Sequence, residues 1–229
     1  MINYLVTRNI KMPTSPEIKT VFTLLEKTHP KTMLEQMAGS SPFQMLVATL
    51  LSARTKDLTV IPIVKDLFKK YPTPKNFLKI SVTELEKKFY KIGFFRVKAK
   101  NVKKLAETLV EKYDSKVPDT LEELISLPGI GRKTANCMLN YAFNKPAIAV
   151  DIHVHRISNR LGWINTKTPE KSEEALEEVI PKDEWINVNK LLVGHGQTIC
   201  TPINPKCNVC QVKKYCKYGK NKFEESKTI

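Results

Sequence analysis

The chain lacks any run of about 18 apolar residues, the length a helix needs to cross a bilayer, so no membrane span is expected. Its first twelve residues, MINYLVTRNIKM, have no apolar core followed by a small-residue cleavage site, and no secretory signal is expected. Period-two alternation is scarce, and no internal repeat or low-complexity block occurs. Cysteine is sparse and odd in number, at 137, 200, 207, 210 and 216. In a chain read as intracellular, metal ligation then outranks disulfides. Acidic residues are also short, 23 against 38 Lys and Arg, which leaves a net charge of +15. Charge of that size favours a polyanionic partner, nucleic acid or an acidic membrane surface, and carries no information about fold.

What is present is helical periodicity nearly throughout, and the expected class is all-α. At 229 residues the chain can bury a core as one large domain or two small ones. Residues 1–16, with Pro13 and Pro16, are expected to form a flexible tail. Ser41-Pro42 opens a helix well, and the residues from Phe43 to Ala53 are apolar nearly all round, which predicts a buried central helix. Thr55 is the expected cap of the next helix, which runs to about Tyr71 with Pro62 kinking or interrupting it. Pro72 and Pro74 predict a loop. Ser81 and Glu84 predict a capping box for a helix over 82–91, with Gly93 as its stop. Further helices are expected near 96–113, 119–126, 132–143, 152–161, 169–180 and 183–193. Glu173, Glu174, Glu177 and Glu178 read as a solvated acidic face.

Two constellations carry chemistry. In residues 124–136 a helix should end at Leu127, Pro128 and Gly129 should turn the chain, and Gly131 should open a second helix. Its free N–H groups and positive dipole end suit a phosphate. A plain turn between helices is the bland reading of Gly-x-Gly, but Thr134 and Ala135, small enough for close helix packing, argue against it. The second constellation is Cys200, Cys207, Cys210 and Cys216, four thiols within 17 residues. Their spacing alone slightly favours a zinc ion held by four thiolates over an iron–sulfur cluster, with disulfides less well supported. Cys137 lies far off and reads as a small buried residue. Asp151 precedes an apolar-periodic segment and reads as a helix N-cap. His153 and His155 do not share a helix face, so they do not suggest a zinc pair. Close packing accounts for the glycines of Gly194-His195-Gly196.

The segment LPGIGRKTAN (127–136) resembles the helix-hairpin-helix of the endonuclease III family of DNA glycosylases. The resemblance runs from about Ser41 to Cys216 through LLSARTKD (50–57), KIGFFRVKA (91–99), AVDIHVHRISNRLGW (149–163) and LLVGHGQTIC (191–200). It implies an all-α fold of two helical lobes with a central DNA-binding cleft and a C-terminal [4Fe–4S] cluster loop. One expected lobe is 38–146, with six helices and the hairpin; the other combines 17–37 with 147–229 and holds the cluster. The family's nucleophile matches Lys133 and its essential carboxylate matches Asp151, facing each other across the cleft. The four-cysteine match makes Cys200, Cys207, Cys210 and Cys216 the cluster ligands. DNA contacts are implied for Gly129, Gly131 and Arg132 in the hairpin and for Lys206 in the cluster loop. Arg54 is the side chain expected to fill the gap left by a flipped nucleotide, and the turn KIGFF (91–95) is expected to supply a second wedge, with Ile92 or Phe94 near the opposite strand. His153 is a possible active-site neighbour, with plain hydrogen bonding an equal alternative.

The activity implied is removal of damaged bases, oxidised pyrimidines foremost, from double-stranded DNA, followed by β-elimination at the abasic site through a lysine Schiff base. A monomer is expected, located in the cytoplasm or nucleoid, or in the nucleus or mitochondrion of a eukaryote. A lysine nucleophile needs a lowered pKa, which a helix N-terminus and partial desolvation would provide. Two positions depart from the family: Arg54 stands where the bacterial branch has Gln, and Ile152 where Thr is usual. The loop between the first two cluster cysteines offers only Lys206 as a cation. Two rival readings are a monofunctional mismatch glycosylase, whose relatives typically lack the lysine, and a non-catalytic hairpin module, for which Asp151 and the cysteines would be surplus.

Overall fold

The computed structural model describes residues 13–220. Every regular element among them is helical. In chain order they are α1 (Ser15–Glu26), α2 (Met33–Gln36), α3 (Pro42–Ser52), α4 (Asp57–Lys70), α5 (Pro74–Phe77), α6 (Val82–Phe89), α7 (Phe95–Lys112), α8 (Leu121–Ser126), α9 (Arg132–Tyr141), α10 (Ile152–Leu161), α11 (Pro169–Val179) and α12 (Trp185–Thr198). Short 3-10 turns add Lys182–Glu184, Cys207–Val209 and Lys213–Tyr215. The chain divides into two units, one of Lys31–Ala149 and the other of the residues up to Pro30 with those from Val150 onward. None of the described helices is long and apolar enough to cross a membrane.

The Lys31–Ala149 unit is built around α3. Ser41 accepts the Gln44 N–H and Gln44 reaches back to Ser41, a complete capping box, and Pro42 presets the first turn. Eight of the eleven α3 residues, Phe43 and Met45 to Leu51, are buried, so the helix packs on all sides against α4, α7 and α9. Truncating a fully buried leucine there, such as Leu46, costs roughly 2–5 kcal/mol. Met33 and Leu34 of α2 join this core, and Phe77 sits edge-on to Phe43 with centroids 5.1 Å apart.

Several local expectations are corrected here. Helix α4 starts after Lys56 without a side-chain cap, because the Thr55 hydroxyl is turned instead toward the Gly93 N–H. Pro62 does not interrupt α4; Leu58, whose carbonyl loses its partner, is 85% exposed and water can satisfy it. Pro74–Phe77 is one helical turn capped by Thr73 rather than loop. Ser81 caps α6 through the Glu84 N–H without the reciprocal bond, and α6 ends at Phe89, short of Gly93.

In the other unit α12 packs on α1 and α10, and α11 on α10. Thr14 and Glu17 form a capping box that starts α1 at Ser15, inside the expected tail; residues 1–12 lie outside the described residues. Phe22 of α1 meets Trp163 edge to face at 5.6 Å. Glu173 is not on a solvated face as expected: it is 6% exposed, because α11 turns that edge inward beside Ser172 and Leu176.

Candidate active site

Helix α8 stops at Ser126, and Leu124, Leu127 and Ile130 anchor the hairpin in the core. Between them Gly129 takes φ +77°, and a Cβ there would lie 2.7 Å from Asn101 Nδ2. Both the backbone and the space require glycine. Gly131 differs from expectation. Its φ is −96° and a Cβ would meet nothing within 4 Å, so no conformational demand selects glycine. What it contributes is openness: as N-cap it brings no side-chain oxygen to the first-turn N–H groups of α9.

Arg132 and Lys133 occupy that first turn and are exposed, while residues from Ala135 to Asn140 are buried. Helix α9 is held by its polar interior side chains: Asn136 Nδ2 donates to the Ile148 carbonyl and Asn140 Oδ1 accepts the Ala147 N–H, both at 3.0 Å. Cys137 is 1% exposed, in agreement with its reading as a core residue.

Two loop tips in the same unit carry the wedge candidates. Arg54 (φ +55°) and Phe94 (φ +58°) both have left-handed backbone, and the Arg54 guanidinium lies 5.5 Å from the Phe94 ring centroid. Phe94 is 60% exposed. Ile92, the alternative wedge, is 2% exposed and part of the core, so it cannot reach a partner.

In the other unit Asp151 caps α10, its Oδ1 accepting from the N–H groups of His153 (2.8 Å) and Val154 (2.9 Å). His153 packs against Gly196, where a Cβ would fall 2.6 Å from His153 Nδ1. Arg156 Nη2 lies 3.1 Å from that same nitrogen. A guanidinium only donates, so Nδ1 is the acceptor in this contact. His155 points elsewhere, to Ser172 Oγ at 2.6 Å.

Cys200, Cys207, Cys210 and Cys216 line one pocket with Arg160, His195 and Tyr218 among its walls. Sequence reading missed the two arginines that build it. Arg156 donates to the Cys200 carbonyl, and Arg160 donates to the carbonyls of Thr201 (2.7 Å) and Pro202 (2.8 Å) and to Cys200 Sγ at 3.3 Å. The Gly219 N–H donates to Cys216 Sγ at 3.3 Å. Helical spacing of four from Arg156 to Arg160 was the available signal. Buried His195, held down to about 4 by burial and then by Arg156, faces Cys210 Sγ at 3.7 Å. Burial pushes the Cys210 thiol up to about 11 and raises Cys216 as well. Among the described residues no three His, Cys, Asp or Glu side chains converge closely enough to hold a metal ion.

The described residues are all-helical and carry a glycine-turned helix-hairpin-helix, with a lysine at the head of its second helix. Residues 47–182 match the HhH-GPD superfamily of base excision DNA repair proteins, and the chain belongs to it, in its endonuclease III branch. It is 47% identical over 179 residues to endonuclease III of Thermotoga maritima, covering 78% of this chain and 84% of that one. A trapped covalent endonuclease III–DNA intermediate superposes with TM-score 0.79 at 35% identity, covering 93% of this chain and 100% of that one. A thermostable thymine-DNA glycosylase also gives 0.79, at 26% identity, covering 89% of this chain and 95% of that one.

Proposed function

We propose that the chain is a bifunctional DNA glycosylase and abasic-site lyase acting on double-stranded DNA with damaged bases, oxidised pyrimidines foremost, and that Lys133 is its nucleophile. The observation that carries this reading is an exposed lysine in the first turn of a helix whose N-cap glycine leaves the end open. Phosphate oxygens can bind at such an end, which brings the amine to the sugar beside them.

The reaction begins with extrusion of the damaged nucleotide, at a cost of a few kcal/mol that is least for damaged or mispaired bases. The Lys133 amine attacks C1′ as the glycosidic bond breaks, and the base leaves with that electron pair and takes up a proton. Loss of the amine proton and opening of the sugar give an imine at C1′. Removal of a C2′ proton then expels the 3′ phosphate and nicks the strand. Asp151 has Oδ1 committed to capping α10. Its second oxygen serves the reaction, offsetting positive charge on the sugar and assisting proton transfer. Gly129, Gly131, Arg132 and Lys206 contact the DNA backbone, His153 neighbours the reacting sugar, and Arg54 with Phe94 fills the vacated stack.

Cys200, Cys207, Cys210 and Cys216 would hold a [4Fe–4S] cluster. Their placement supports it: all four cysteines line one pocket, and Arg160 and the Gly219 N–H already donate to the sulfurs of Cys200 and Cys216. A tetrahedral zinc would need sulfurs drawn to roughly 3.8 Å of one another by its 2.3 Å bonds. When bound, the cluster supplies iron–thiolate bonds that fix the C-terminal loop, and no step of base removal runs through it. The chain works as a monomer where the cell keeps its DNA: cytoplasm or nucleoid, nucleus or mitochondrion.

A monofunctional mismatch glycosylase is the second reading, favoured by the likeness to the thymine-DNA glycosylase. Borohydride separates the two. The wild-type chain should yield a covalent adduct on an abasic or oxidised-pyrimidine duplex, mapping to Lys133. Lys133→Gln should bind damaged duplex while adduct and nicking vanish together. An adduct on another residue, or base release without any adduct, overturns the assignment.

A further inference from the structure

The most buried lysine described is not the nucleophile. Lys98, in the first turn of α7, is 6% exposed, and burial lowers its pKa to about 8. A lowered pKa alone would suit an amine to imine chemistry. Geometry excludes that: its Nζ is enclosed and donates to the carbonyls of Leu51 (2.8 Å) and Ala53 and to Thr55 Oγ1 (3.3 Å).

Those partners lie where α3 ends and the Arg54 tip begins. Thr55 Oγ1 also accepts the Gly93 N–H at 3.1 Å, and a Cβ on Gly93 would come within 3.0 Å of the Arg54 carbonyl oxygen. The Phe94 side is thus joined through its neighbour Gly93, whose N–H is the one that Thr55 Oγ1 holds. Lys98 and Thr55 therefore join both left-handed residues: one side of the junction ends in Arg54, the other in Phe94, and the two side chains touch at their ends. A surface tip carrying an arginine and an aromatic has little to hold it in a rare backbone region. Here a buried ammonium and one hydroxyl do so.

We propose that Lys98, acting through Thr55, is a positioning residue that locks the Arg54 and Phe94 tips into one rigid double wedge for nucleotide extrusion. The proposal rests on the glycosylase reading. A loose wedge yields when it is pressed into a base stack, whereas a locked one makes the DNA yield. Lys98 thus acts before chemistry and makes no contact with the sugar.

The test uses the full chain and a duplex with one thymine glycol, with 2-aminopurine beside it to report unstacking. Thr55→Val removes the shared oxygen at nearly constant volume, Lys98→Met removes the ammonium, and Lys98→Arg restores a charged donor. In Thr55→Val the unstacking rate and single-turnover base release should fall together by about 10- to 100-fold, the scale of a small misplacement. Affinity for undamaged duplex, set by phosphate contacts, should stay within about twofold. Lys98→Arg should recover part of the rate lost in Lys98→Met. If Lys98→Met does not fold, Thr55→Val decides alone. Unchanged unstacking in a folded variant, or equal loss on damaged and undamaged duplex, overturns the lock and leaves the glycosylase reading standing. A wild-type chain that unstacks the reporter but releases no base overturns that reading, and the proposal with it.

Discussion

Arg160 donates a hydrogen bond to Cys200 Sγ at 3.3 Å from the helix whose first residue is capped by Asp151. The same guanidinium holds the Thr201 and Pro202 carbonyls and stacks 4.7 Å from the Tyr218 ring centroid. The cysteine loop is thereby fastened to α10, the helix that Asp151 caps.

Metal analysis checks the cysteine assignment. Protein purified without air should carry about four irons and four acid-labile sulfides per chain. Cys137→Ser should leave both unchanged, and serine at any of the other four positions should lower both. Arg160→Met should lower iron content as well, since each hydrogen bond from a charged group contributes about 1.5–3 kcal/mol. Stoichiometric zinc without sulfide contradicts the assignment.

Asp151→Asn separates capping from charge. Asn caps a helix about as well as Asp, so the melting temperature should change little. Single-turnover base release should fall by about 10²–10³, the range for losing a transition-state charge interaction. Slow trapping on a preformed abasic site should persist, because the Lys133 amine remains. A variant that melts early and releases base normally would return Asp151 to a purely structural role.

Binding to undamaged duplex should weaken steeply with salt, by about 0.9 in log–log slope per phosphate neutralised. Arg54→Ala and Phe94→Ala should weaken retention on damaged duplex more than on undamaged duplex, because the wedge acts only after flipping. Equal losses on both would make Arg54 an ordinary phosphate contact.

Lys98 should leave a signature in stability. Its pKa lies near 8 in the folded chain and near 10.5 when unfolded. Between those values the unfolded chain keeps a proton that the folded chain has released, so this residue adds stability as pH rises through that window. Urea midpoints at pH 7.5 and 9.5 should show the gain in the wild type relative to Lys98→Met. A wild type that gains no more than the variant would mean that the buried amine keeps an ordinary pKa.

Helices, hairpin and cysteine loop were legible along the chain because each follows from local rules. The Ser41 cap, the apolar run of α3 and the Gly129 turn depend on residues within a few positions of one another, as does the spacing of Cys200, Cys207, Cys210 and Cys216. What escaped were contacts between distant segments. Thr55 reads locally as a cap, yet its hydroxyl is taken by Gly93, 38 positions away, and α4 starts without it. Ile92 and Phe94 look equally apolar in sequence, but burial removes the first and a left-handed backbone presents the second. Arg156, Arg160 and Lys98 read as unremarkable cations among 38. Only packing decides which cations are enclosed, because the partners they need are backbone carbonyls, and every sequence supplies those anonymously.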